Sequence, residues 1–130
     1  MEKLKGYKVI KRSKKKVGAY KGQPRICLWS TALLKAGFDF GQFIIYTYQR
    51  TEGEKHWSLC IGRPTTNQGR KVSKVMNHGK PIPVIDIKCT DRFTLEEYFE
   101  IGESIIVTIC EGRIFIQKEE SNNDVHKNQI

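Results

Sequence analysis

Long apolar runs are the plainest absence in this 130-residue chain. No stretch approaches the roughly 18 apolar residues of a membrane-spanning helix, so a helical span is excluded. The basic N-terminus MEKLKGYKVIKRSKKK has neither the apolar core nor the small-residue cleavage site of a secretory leader. The expectation is a cytoplasmic protein, nucleoid-associated if it binds DNA, with no membrane partner. Cysteine is sparse: Cys27, Cys60, Cys89 and Cys110 lie too far apart for a metal knuckle. They read as free thiols buried in strands, and no metal is expected. Histidine is sparser still, and His56, His78 and His126 have no nucleophile at a recognisable spacing. A phosphate-binding glycine loop and a dinucleotide fingerprint are both missing, so no cofactor is expected.

Acidic residues are scarce in one part of the chain. Residues 1–80 hold 18 Lys/Arg against 4 Asp/Glu, a balance of +14, whereas residues 81–130 hold 5 against 10, a balance of −5. A gradient this steep points to a polyanionic partner on one side of the molecule.

What the sequence does contain is a degenerate internal repeat. Pro24–Gln49 followed by His56–Ile61 reads strand, short helix, Gly-turn, strand, hairpin, and Ile82–Cys110 followed by Gly112–Lys118 reads the same way. Aligned on the turn, Gly37–Gln42 lies over Tyr98–Glu103 at an offset of 61, which also lays Ile26 on Ile87 and Leu34 on Leu95. Repeats dictate architecture, and two copies predict two halves that bury together what neither buries alone.

The expected organisation is a basic N-terminal arm or edge strand over 1–23, a first repeat over 24–61 and a basic linker over 62–81. A second repeat over 82–118 and a disordered tail over 119–130 follow, with 24–118 forming one domain. In the first repeat, alternation over Arg25–Trp29 turns Ile26 and Leu28 one way and Arg25, Cys27 and Trp29 the other. A helix over Thr31–Ala36, capped by Ser30 or Thr31, turns Leu33 and Leu34 inward and ends at Gly37. Strands are expected over Phe43–Gln49 and Trp57–Ile61. In the second repeat a strand over Val84–Cys89 leads to a second helix capped by Asp91 or Thr94, with Glu96 and Glu97 in its first turn. Ser104–Cys110 and Arg113–Gln117 form a hairpin across Glu111-Gly112.

The pattern Ile26-x-Leu28, Leu33-Leu34-x-Ala36-Gly37-Phe38, Gly41 and Ile44 resembles the AbrB superfamily of swapped-hairpin barrels, and its SymE-type branch most closely. The second repeat follows the same outline with Glu97-Tyr98 in place of the Ala-Gly pair. The resemblance implies a mainly β fold with two short helices, a pseudo-two-fold AbrB-like barrel made from two internal repeats. It would be a monomeric pseudo-dimer or a homodimer. It also implies a DNA-binding regulator; the alternatives are a SymE-like toxin acting on RNA, as in toxin–antitoxin systems, or a protein-binding module of phage or mobile-element origin.

The candidate nucleic-acid contacts follow from charge. Lys11, Arg12, Lys14, Lys15 and Lys16 form a flexible basic arm, joined by Lys21. Arg63, Arg70, Lys71 and Lys74 form a second group in the linker. Arg25 and Arg50, on or beside strands, are better held and suit ordered phosphate or base contacts. Trp29 or Tyr20 could stack on an unpaired base, with packing as the alternative. No catalysis is expected; His78 is the one candidate general base for RNA cleavage. Glu96, Glu97, Glu100 and Glu103 read as a solvated face.

Overall fold

The computed structural model describes residues 3–66, 69–90 and 93–119. Among them, alternating side chains give eleven strands and one short helix. These are β1 (Lys3–Leu4), β2 (Tyr7–Lys16), β3 (Gly18–Tyr20), β4 (Gln23–Trp29), α1 (Ala32–Lys35), β5 (Phe43–Gln49) and β6 (Ser58–Gly62). β7 (Arg70–Lys71), β8 (Ser73–Asn77), β9 (Lys80–Lys88), β10 (Ser104–Cys110) and β11 (Arg113–Lys118) complete the series.

They build two antiparallel sheets. One has the order β1-β2-β10-β11-β6-β5-β7 and the other β3-β4-β9-β8. The main core lies between their inner faces. Ile26 and Leu28 of β4 and Ile85 and Ile87 of β9 face Ile105, Val107 and Ile109 of β10 and Leu59 and Ile61 of β6, all buried. Among the described residues both sheets keep free edges, so the architecture is mainly β and antiparallel but not the expected closed barrel. Val17 and Val72 are two buried residues at which the chain passes from one sheet to the other. The Val17 amide donates to Glu103 O (2.9 Å) and its carbonyl accepts from Gly102 N (2.8 Å). The Val72 amide donates to Gln42 O (2.9 Å) and its carbonyl accepts from Gly41 N (2.8 Å). Each valine thus carries its ladder one step further, into the Gly-turn that precedes β10 or β5.

β3–β4 and β8–β9 close with two-residue turns, Lys21-Gly22 (φ 52 and 78) and His78-Gly79 (φ 51 and 78). Positive φ at both positions is the geometry that matches the twist of a hairpin, and glycine holds it without strain. The stretch expected to be a linker therefore carries β7, β8 and the start of β9. The basic run is likewise not a flexible arm: Lys11 to Lys16 are paired one by one with Ile109 to Ser104.

One helix is present among the described residues rather than two. α1 begins where Ser30 Oγ accepts from Ala32 N (3.0 Å) and ends at Gly37, φ 93. It buries Ala32 and Leu33, but Leu34 is 40% exposed, against the expectation that it faces inward. Four residues make one turn, too short for two adjacent leucines to reach the core. The second expected helix is a single turn in which Tyr98 N and Phe99 N both donate to Leu95 O (3.0 and 2.8 Å). Burial of Leu95 and Phe99 holds that turn, and a segment this short cannot offset the cost of nucleating a helix. Asp91 and the tail from 120 onward lie outside the described residues.

Candidate nucleic-acid interface

Register decides where the basic run points. Directly opposed residues of an antiparallel pair share a face. Lys11, Ser13 and Lys15 stand opposite Ile109, Val107 and Ile105 and so lie on the core side of the sheet. Arg12, Lys14 and Lys16 stand opposite Thr108, Ile106 and Ser104 on the outer side. A bulge where β2 passes Ile109 and Cys110 shifts the alternation. It lets Val9 pack on an outer cluster of Cys60, Cys110 and Phe115 while Ile10 packs on the main core.

On the core side the two lysines reach the open margin between the sheets. There they line a cleft of about 100 Å³ together with Cys27, Trp29 and Ser30. β4 turns Arg25, Cys27 and Trp29 outward while Pro24, Ile26 and Leu28 are buried. The outer face of the four-stranded sheet thus continues from the cleft. Trp29 is 53% exposed and Tyr20 on β3 is 41% exposed. Three cations surround the Tyr20 ring: Lys88 Nζ at 4.4 Å, Lys21 Nζ at 5.4 Å and Arg25 Cζ at 5.9 Å from its centroid. Four expected contact residues, Lys11, Lys15, Lys21 and Arg25, therefore gather round one face.

Arg25 is not free on that face. Its Nε and Nη2 donate to the two Asp86 carboxylate oxygens, each at 2.8 Å, and Lys88 Nζ lies 3.4 Å from the same carboxylate. Hydrogen bonding to Arg25 holds the Asp86 carboxyl below its usual range, and the same bonds keep the guanidinium charged. Burial pushes the Cys27 thiol up, and Asp86 adds to the shift. Lys88 was not singled out in the sequence, although it stands opposite Arg25 in the β4–β9 register.

The other expected contacts lie elsewhere. Arg12 donates to Thr108 Oγ1 (3.4 Å) and lines an outer cleft of about 470 Å³ with His56, Trp57 and Lys118. Lys14 pairs with Glu119 at 3.0 Å. Arg63 donates to Gly37 O and lies over Phe38. Lys71 sits over Phe43 at 5.0 Å. Lys74 is exposed on β8, opposite Pro83. His78 is exposed at the β8–β9 turn.

Arg50 and Arg70 cap a row that the sequence did not suggest. Arg70 lies 5.1 Å from the Tyr46 ring, and Tyr46–Phe93, Phe93–Tyr48, Tyr48–Tyr98 and Tyr98–Trp57 follow at 5.2, 5.6, 4.3 and 5.8 Å. Arg50 closes the row over Trp57 at 5.7 Å. Tyr48 OH donates to Thr94 O (2.7 Å), and burial pushes its phenol up and that of Tyr46 up to about 12. This row is half-buried packing that seats the 93–99 turn on β5.

No family model, curated protein or solved structure matches the chain. Its surface must therefore be read from its own chemistry. Among the described residues no helix is long and apolar enough to cross a membrane, and no three His, Cys, Asp or Glu side chains group to hold a metal.

Proposed function

We propose that this chain is a nucleic-acid-binding protein, a DNA-binding regulator of AbrB/SymE type, that contacts phosphates through its basic N-terminal half. The observation that carries this reading is the convergence of Lys11 and Lys15 from β2 with exposed Trp29 from β4 on one cleft. Lys21, Lys88 and Tyr20 lie on the adjoining sheet face. Each lysine that neutralises a phosphate releases condensed counterions, so affinity comes from many weak, salt-sensitive contacts.

The proposal includes an internal repeat whose halves exchange strands. Three features support it. At the offset of 61, β5 (Phe43–Gln49) overlays β10 (Ser104–Cys110) residue for residue. Ile26 and Ile87, also 61 apart, are direct partners in the β4–β9 ladder. Lys15-Lys16-Val17 and Arg70-Lys71-Val72 occupy equivalent places, each ahead of a hairpin, with each valine bonded to the Gly-turn of the opposite half.

Fluorescence anisotropy with labelled duplex DNA, single-stranded DNA and RNA at several salt concentrations tests the reading. Binding should weaken linearly in log–log form. Replacing Lys11 and Lys15 with Ala should flatten the slope by about 1.5, the share of two lost phosphate contacts. Absence of binding to all three at low salt would overturn it.

A further inference from the structure

We infer that the outer face of the four-stranded sheet takes a single strand of nucleic acid, with unpaired bases stacking on Trp29 and Tyr20. The inference rests on the nucleic-acid reading above and specifies the form of its ligand.

Three observations carry it. First, the two rings are exposed on the same face, at opposite ends of the outward row of β4: Tyr20 stands opposite Gln23, and Trp29 ends the strand. Six residues of strand separate those stations by about 20 Å, a run of nucleotides rather than one base. Secondly, Trp29 has no ring or cation stacked on it among the described residues, unlike Trp57, which Tyr98 and Arg50 cover. Beside it lies a depression of about 370 Å³ bounded by Val75, Met76 and Val84, with the Arg25–Asp86 pair as its polar margin. Val75 and Met76 are exposed, so an apolar wall awaits a flat apolar ligand.

Thirdly, charge is distributed as a single strand needs. At the centre of this face the Asp86 carboxylate already takes both hydrogen bonds of the Arg25 fork, so that guanidinium is engaged rather than open to a phosphate. Lys15, Lys21 and Lys88 lie at its margins. Bases thus turn towards the sheet while the backbone follows the lysines. A duplex offers the opposite arrangement, since its base faces are already stacked and only its phosphates lie outward. An aromatic platform in a basic setting is how sequence-tolerant single-strand binders work, and four-stranded sheets elsewhere stack two or three bases in this way.

The chain has two tryptophans, so Trp57→Phe leaves Trp29 as the sole indole reporter. This full-length variant is titrated with a 12-nucleotide DNA strand, the RNA strand of equal sequence and the DNA duplex. The expected result is quenching of Trp29 emission by the single strands, with affinity at least about tenfold above that for the duplex. Trp29→Ala should lose about 10- to 100-fold in single-strand affinity, and Trp29→Phe should recover most of it. The exposure of Trp29 means that Trp29→Ala should melt as the parent does, which a circular dichroism melt checks. Quenching by DNA alone, by RNA alone or by both supports the inference and names the preferred sugar. Equal or tighter duplex binding, or single-strand binding that leaves Trp29 emission unchanged, would overturn the inference and leave the broader reading standing. No binding of any of the three would remove both.

Discussion

Asp86 binds the Arg25 guanidinium through two parallel hydrogen bonds, a geometry that fixes both side chains more firmly than a simple surface ion pair. Both groups remain partly exposed, so the pair contributes about 1 kcal/mol. Its carboxyl is held low in the folded protein, so this stabilisation is present above the usual carboxylate range and is lost as pH falls through the depressed value. Asp86→Asn should therefore melt about 4 °C below the parent at neutral pH, with the gap closing only once the pH falls below the usual carboxylate range. A difference that stayed constant below that range would show that the charge pair is not its origin. At this scale the sequence was informative where alternation applied: Ile26 and Leu28 inward, Trp29 outward. It could not show that Arg25 would be neutralised, because the partner lies 61 positions away across a sheet.

Among elements, the strands were legible and the helices less so. β5 and β10 were bounded to the residue because β-branched runs between glycine turns admit little else. β7 and β8 went unread because Arg70 to Asn77 is rich in polar residues and lacks a long apolar run; His78-Gly79 before Lys80-Pro81 was the overlooked hairpin signal. The second helix failed because Glu96 and Glu97 suggested a helical first turn, while Phe93, Leu95, Tyr98 and Phe99 are all drawn onto neighbouring elements. Its turn is held by rings. Phe93 lies between Tyr46 and Tyr48, so Phe93→Ala should cost about 2 kcal/mol. The expected signs are a lower urea midpoint at unchanged slope and faster amide exchange over 94–99. Parental stability with parental exchange would mean that the row does not secure the turn.

Across the whole molecule, four ladders among the described residues join the two halves: β2 with β10, β4 with β9, β6 with β11 and β5 with β7. The ladders within each half are hairpins, β1–β2, β3–β4 and β5–β6 in one, β8–β9 and β10–β11 in the other. An isolated hairpin is marginal in water. Polypeptides 1–64 and 65–130, divided at the exposed 63–66 loop, should each lack a cooperative melt and regain one when mixed. A separate sharp transition in either fragment would contradict this. The division follows the repeat proposed above. The sequence did not disclose the open edges, which depend on strand pairing between distant segments.

The seam at Ile26 and Ile87 also carries a rule of assembly. Arg25 and Asp86 flank that seam from opposite halves, and each would occupy the other's place if the halves were exchanged. Two first halves joined there would bring guanidinium beside guanidinium with no carboxylate between them, which disfavours that union, whereas in two second halves each Asp86 would stand opposite a Lys88. A chain folding upon itself satisfies the seam, and so do two chains that trade halves reciprocally. Charge at one crossing point thus sets a first half against its own copy and in favour of a second half, whether or not the two share a backbone.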